Sequence, residues 1–250
     1  MCTLSWVVTA DGYELRFNRD EARERAPELP PRVFEREGSR FAAPLDGEAQ
    51  GTWLAVNEMG TCVTLLNAYR PSRGVAPTRW RTRGELVLAL ADSTDPAHVQ
   101  ERLHARLDER DLHHYRPFVL FAIDRAGRSR SWSWDGLELE SVEEPPAPLA
   151  SSGVVQASAQ RSRAEVWSRT VGELPGIEAL DAFHRSHDPE RGALSVCMHR
   201  DDACTRSLVR VSVDEARIVL EHEAAAPCSR VTPTRVVLVD RAQPSSRQAR

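Results

Sequence analysis

The chain predicts an α+β fold in which helices pack on antiparallel sheets. Three observations carry this. Strand-like segments come in pairs joined by short turns, as hairpins, and do not alternate with helices in regular βαβ units. Along the chain the element types run strands, helices, strands, helices, strands. No G-x-G-x-x-G or phosphate-loop pattern is present, which disfavours a doubly wound nucleotide-binding sheet.

The elements follow in order. Residues 3–9 alternate as a strand, Asp11-Gly12 reads as a two-residue hairpin turn, and 13–17 is the return strand. This hairpin brings position 18 onward back beside position 2. Residues 23–31, with Pro27, Pro30 and Pro31, read as an exposed connection. A second hairpin pairs 52–57 with 61–67 across Glu58-Met59-Gly60. Residues 84–91 form a short apolar helix. The next helix takes Asp95 as its cap and Pro96 at its first position, with Val99, Leu103 and Leu107 on one face. The run 117–124 is a buried strand paired with 129–134, and 137–142 adds an edge strand, followed by a loop over 143–148. Residues 151–158 read as strand-like, and 161–171 and 177–184 as helices. The segments 194–198, 207–213, 217–222 and 234–240 read as antiparallel strands. The sequence thus predicts one domain over 1–240 and a disordered polar tail over 241–250.

Composition narrows the function. The 250 residues are 41% hydrophobic and 28% charged, enough to bury a sizeable core. The net charge of -4 points to no nucleic-acid or anionic-membrane partner. Lysine is absent, so all 33 basic residues are arginine, which excludes Schiff-base and phosphate-loop lysine chemistry. Five cysteines at irregular spacing suit a reduced, cytoplasmic protein better than a disulfide scaffold. No run approaches the ~18 apolar residues of a membrane span, and the N-terminus lacks the pattern of a signal peptide.

The residue with the most chemical potential is Cys2. Removal of Met1 leaves a thiol and a free α-amine on one carbon, a nucleophile with its own base. Asn18-Arg19-Asp20-Glu21 returns beside it across the first hairpin. A carboxylate there can orient the ammonium, and an arginine can favour the thiolate. Asn67, ending an apolar strand, can donate its amide to a developing oxyanion. Other candidates are weaker. His184 and His187 lie near Asp181 and Asp188, and Cys197, His199 and Cys204 form a second group. Neither group has zinc-finger spacing, and both read as solvated or alternating residues, so no metal ligand and no cofactor is expected. Trp132 and Trp134 share a strand face and read as core or as the wall of an apolar pocket.

Four blocks give the chain a family resemblance: Met1-Cys2, Asn18-Arg19-Asp20-Glu21, Gly51-Thr52-Trp53-Leu54 and Arg83-Gly84-Glu85-Leu86, with Cys204-Thr205-Arg206-Ser207 as a weaker fifth. They resemble the NRDE family, the relatives of transport and Golgi organisation protein 2. The stretch from Val56 to Asn67 is also similar to choloylglycine hydrolases and penicillin acylases, N-terminal-nucleophile (Ntn) amidohydrolases. The resemblance implies a four-layer αββα sandwich of two antiparallel sheets. It implies that Cys2 is nucleophile and base, Asp20 holds the α-amine, Asn67 serves the oxyanion hole and Arg206 is a late basic residue near the nucleophile. The slot of the first-cluster arginine is Phe17 here, with Arg16 and Arg19 on either side as the candidates to replace it. Asn18, Trp53 and Ser152 are the candidate substrate-binding residues. The implied activity is hydrolysis or transfer of an acyl group from a non-peptide amide or thioester. The alternative it leaves open is a non-catalytic protein that binds or traffics haem or lipid on the same fold. The chain departs from the family in reading Ser151-Ser152-Gly153-Val154 without a following Pro-Trp, and in Cys204 where the family has glycine.

Overall fold

The computed structural model describes residues 2–153, 155–172 and 175–240. The tail expected over 241–250 and Met1 lie outside them. The strands are β1 (Cys2–Thr9), β2 (Gly12–Ala22), β3 (Leu29–Arg36), β4 (Ser39–Leu45), β5 (Leu54–Asn57), β6 (Cys62–Asn67), β7 (Phe118–Ile123), β8 (Ser129–Trp134), β9 (Leu139–Glu143), β10 (Leu149–Ser151), β11 (Ala203–Val213), β12 (Arg217–Glu223) and β13 (Thr234–Asp240). Helices α1 (Arg83–Leu90) and α2 (Pro96–Asp108) separate β6 from β7. Helices α3 (Gln156–Thr170) and α4 (Ile177–Arg185) separate β10 from β11.

All the strand pairings are antiparallel, in two sheets. One runs β10-β1-β2-β11-β12-β13, the other β3-β4-β5-β6-β7-β8-β9. Alternation along the strands sends Leu4, Trp6, Leu15 and Phe17 from the first sheet into a shared core with Leu54, Val56, Leu66, Phe121 and Ile123 from the second. Trp6 and Phe121 meet with ring centroids 4.1 Å apart. Each such buried side chain contributes about 1.5–3 kcal/mol by leaving water.

The seven-stranded sheet buries its other face under α1 and α2, through Leu86, Val87, Leu90, Val99 and Leu103. Trp132 and Trp134 belong to this layer. They are fully buried, and their indole N–H groups donate to Gln100 Oε1 and the Tyr115 carbonyl; they form core, not a pocket. The six-stranded sheet packs its other face on α3 and α4 through a small apolar group, Val166, Val171, Phe183 and Val196. The result is the four-layer αββα sandwich.

The structure corrects the sequence reading in four places. The first turn is Ala10-Asp11, and Gly12 already pairs with Thr9. A turn at 11–12 would slide the strands by two residues; the observed turn sets Cys2 opposite Arg19. The stretch 23–31 is not all connection: Pro30 and Pro31 sit in β3, an edge strand, where missing N–H donors cost the sheet least. Residues 151–158 contain only the last residue of β10 before α3 begins at Gln156. Residues 194–198 form no strand, because Leu194–Met198 turns back toward β11 through the bridge His199–Cys204.

Candidate functional site

Cys2 begins a central strand, with Arg19 of β2 opposite it on one side and Ser151 of β10 on the other. Its side chain takes the inter-sheet face with Leu4 and Trp6. Where the two sheets end, that face opens into a cavity of about 320 Å³. Cys2, Arg19, Asp20, Trp53, Asn67, Tyr69, Arg83 and Gly84 are among its lining residues.

The loop 51–53 and the start of α1 build one wall, and they touch backbone to backbone. A Cβ on Gly51 would fall 2.7 Å from the Gly84 backbone, and one on Gly84 would fall 2.7 Å from the Thr52 nitrogen. Thr52 N–H donates to the Gly84 carbonyl at 3.2 Å. Only glycine at both positions permits this approach.

Arg19 crosses the cavity rim. Its guanidinium lies 4.7 Å from the centroid of the Trp53 ring. It donates to Glu28 at 3.0 Å, Asp46 at 2.5 Å and Glu21 at 3.3 Å. Asp46 in turn holds Arg25 through both carboxylate oxygens at 2.9 Å. Burial opposes ionisation of Asp46, but the Arg25 bond, the Ala49 N–H and the Arg19 charge outweigh it and hold its carboxyl at about 2.

Asp20 lies on the opposite face of β2, toward α3. Its Oδ1 accepts from the Thr205 hydroxyl at 2.6 Å and its Oδ2 from Arg163 at 3.4 Å. Burial pushes its pKa up, opposed by the Arg163 charge. Asp20 reaches Cys2 in two ways. Its backbone N–H donates to the sulfur, and its carboxylate charge disfavours the thiolate. Burial is the largest influence on Cys2 and raises the thiol, while Arg19 acts the other way.

The expected residues separate into two groups. Cys2, Arg19, Asp20, Trp53 and Asn67 share the cavity. Asn67 also hydrogen-bonds the Tyr69 hydroxyl, whose pKa burial raises. Arg206, Asn18 and Ser152 are not part of its lining. Arg206 is the extra residue of a bulge between Thr205 and Ser207, and the bulge turns it outward to donate to the carbonyls of Ala22, Arg23 and Arg25. Asn18 faces α4. Its amide donates to the carbonyls of His184 and Val196 at 3.0 Å, and its Oδ1 accepts from His184 Nδ1 at 2.9 Å. Ser152 holds the start of α3, its hydroxyl accepting from Val155 N–H.

Arg163 escaped the sequence reading. It is fully buried on α3 and donates to the Cys2 carbonyl, the Thr3 hydroxyl, Asp20 and the Ser195 carbonyl. The available signal was spacing: Ala159, Arg163 and Val166 form the inward stripe of the helix. Tyr69 was missed as well, and Arg83 was named only as part of a family block, without a place at the site. Arg83 lies beside Cys2, donates to the Pro117 carbonyl, and has its pKa lowered by burial.

The metal-ligating side chains gather elsewhere. His184 is buried in the Asn18 and Ser5 network, while His187, Cys197, His199 and Cys228 approach one another outside the cavity.

The pattern of the Transport and Golgi organisation 2 family matches residues 1–172, more than two thirds of the chain. The chain belongs to that family. No curated protein matches it. Among solved structures, penicillin V acylase from Agrobacterium tumefaciens superposes with a TM-score of 0.55 at 12% identity, over 97% of this chain and 87% of that one. A mutant of conjugated bile acid hydrolase from Clostridium perfringens gives 0.56 at 12% identity, over 95% and 92%. At that identity the likeness is one of fold, and the fold is that of the Ntn hydrolases. Among the described residues, no helix is long and apolar enough to cross a membrane.

Proposed function

We propose that this family member is an N-terminal-cysteine amidohydrolase or acyltransferase acting on a non-peptide amide or thioester once Met1 is removed. The observation that carries the reading is the Cys2 thiol lining a cavity together with Asn67 and Asp20. In this mechanism the freed α-amine takes the thiol proton. The sulfur attacks the acyl carbon, and the oxyanion that forms accepts a hydrogen bond from the Asn67 amide. The carbon–nitrogen or carbon–sulfur bond then breaks, and the ammonium gives its proton to the leaving group. Water, deprotonated by the amine, cleaves the Cys2 thioester and releases a carboxylic acid. Asp20, held by Thr205 and Arg163, orients the ammonium. Arg19 anchors the cavity rim, and Trp53 offers an apolar wall to the acyl group.

Six charged side chains line the cavity (Arg19, Asp20, Glu21, Arg25, Asp46 and Arg83), and among the described residues no histidine does. That balance favours a polar small molecule over haem as the occupant. Five free thiols support a reducing compartment, the cytoplasm.

The test is intact-mass analysis of the purified chain before and after exposure to a panel of acyl amides and acyl thioesters. The expected result is loss of Met1 and a transient acyl adduct on Cys2, absent in Cys2→Ala. A retained Met1, or turnover unchanged in Cys2→Ala, overturns the reading.

A further inference from the structure

Four potential metal ligands converge from three separate stretches of chain. His187 follows the last turn of α4. Cys197 and His199 sit two residues apart, before β11. Cys228 comes from a short 3-10 turn at Pro227–Ser229, after β12. Each side chain offers one ligand atom, and these atoms all lie within 4.8 Å of one another.

Two of the spacings match the edge of a zinc tetrahedron. His199 Nε2 is 3.4 Å from Cys197 Sγ and 3.5 Å from Cys228 Sγ. With Zn–S bonds of about 2.3 Å, Zn–N bonds of about 2.05 Å and tetrahedral angles, sulfur and nitrogen stand about 3.6 Å apart. A second observation points the same way. His187 Nε2 is buried and has no hydrogen-bond partner, an arrangement native proteins avoid unless something else satisfies the atom. The His187 and His199 rings meet edge to face at 5.1 Å.

We propose that His187, Cys197, His199 and Cys228 bind a structural zinc ion in a closed Cys2His2 site. Two thiolates and two neutral imidazoles suit zinc in softness and in charge, since the thiolates cancel the ion's two positive charges. Thiol ligands bind as thiolates and imidazoles bind neutral, so binding releases the thiol protons. His199 must carry its remaining proton on Nδ1. The exposed Arg191 guanidinium, 3.4 Å from that nitrogen, would have to swing aside.

The ion would staple the end of α4, the 3-10 turn and the segment that leads into β11. That segment supports the Cys2 cavity. Met198 N–H donates to the Thr205 hydroxyl at 2.8 Å, and the same hydroxyl donates to Asp20. The sequence reading missed the cluster because it grouped Cys204 with Cys197 and His199. Cys204 sits across the bridge from His199, outside the cluster, and the fourth ligand comes from 24 residues further along the sequence, at Cys228.

The test uses the full chain, produced with added zinc and purified without chelator. Metal analysis is expected to give one zinc per chain. Replacement by cobalt(II) should give thiolate-to-cobalt charge-transfer absorption and the intense visible bands of a tetrahedral site. Cys228→Ser should weaken zinc binding by about tenfold or more, whereas Cys204→Ser should leave it unchanged. A wild-type chain without stoichiometric zinc overturns the proposal. So does a Cys197–Cys228 disulfide in the freshly purified protein, or equal loss of zinc in Cys204→Ser. The cobalt spectrum of the wild type needs no variant to fold, and it reads independently of acylation at Cys2.

Discussion

At the residue scale, Arg163 concentrates the energetics of the candidate site. Its guanidinium is buried beside the buried Asp20 carboxylate and also ties down the Cys2 carbonyl and Ser195. Removing one partner of such a pair strands the other charge. Arg163→Ala is therefore expected to destabilise the chain by about 3–5 kcal/mol, read as a shift of the urea midpoint. An unchanged midpoint would show that Asp20 is not held as an ion. The sequence placed Asp20 beside Cys2 because one hairpin fixes that neighbourhood locally, whereas it offered Asn67, on β6 of the other sheet, only as a strand-end amide. It hid Arg163, whose role depends on a helix docking against β2 from some 140 residues away, and it gave Arg206 a role that the bulge at that position turns outward.

At the element scale, the cavity wall depends on two backbones in contact at Gly51 and Gly84. A methyl group at 84 would meet the Thr52 nitrogen at 2.7 Å, with no flexible side chain to give way. Gly84→Ala is expected to cost about 1–3 kcal/mol by overpacking. It should also impair reaction at Cys2 more than the lost stability explains, as compared by thermal melting and acyl-adduct formation. Elements with their own punctuation were legible: Asp95 and Pro96 mark the start of α2, and its cap bond, Asp95 accepting from His98 N–H at 2.9 Å, is present. The β3–β4 hairpin was not legible, because Pro30 and Pro31 read as a break and only an edge position accommodates them.

At the scale of the whole molecule, the layer between the six-stranded sheet and α3–α4 is polar, and it makes stability depend on pH. His184 is fully buried, with Nδ1 donating to Asn18 and Nε2 accepting from Ser5. Burial first, then the Arg16 charge, holds its pKa well below the ordinary value. The unfolded chain takes up a proton there near pH ~6.5 while the folded chain does not. The stability it confers is complete above that pH and falls below it, by at most about 1.4 kcal/mol per pH unit. Asp46 and Asp135, both held at about 2, add a second loss as pH falls from about 4 toward 2. Urea midpoints are expected to drop between pH 7 and 5, and less steeply in His184→Gln. Equal midpoints at pH 7 and 5 in the wild type would show that the layer does not exclude the proton. The partition of strands between sheets was beyond the sequence: the hairpins name near neighbours, but β2 pairs with β11, nearly two hundred residues away.

Trp53 lines the cavity with an arginine cation over its ring. The excited state of an indole responds to the electric field across it, so a molecule seated against Arg19 changes the colour and yield of this tryptophan's fluorescence. The difference spectrum between the wild type and Trp53→Phe isolates that signal from the other five tryptophans. The chain thus carries its own optical titration of whatever occupies the cavity, usable before any substrate is identified.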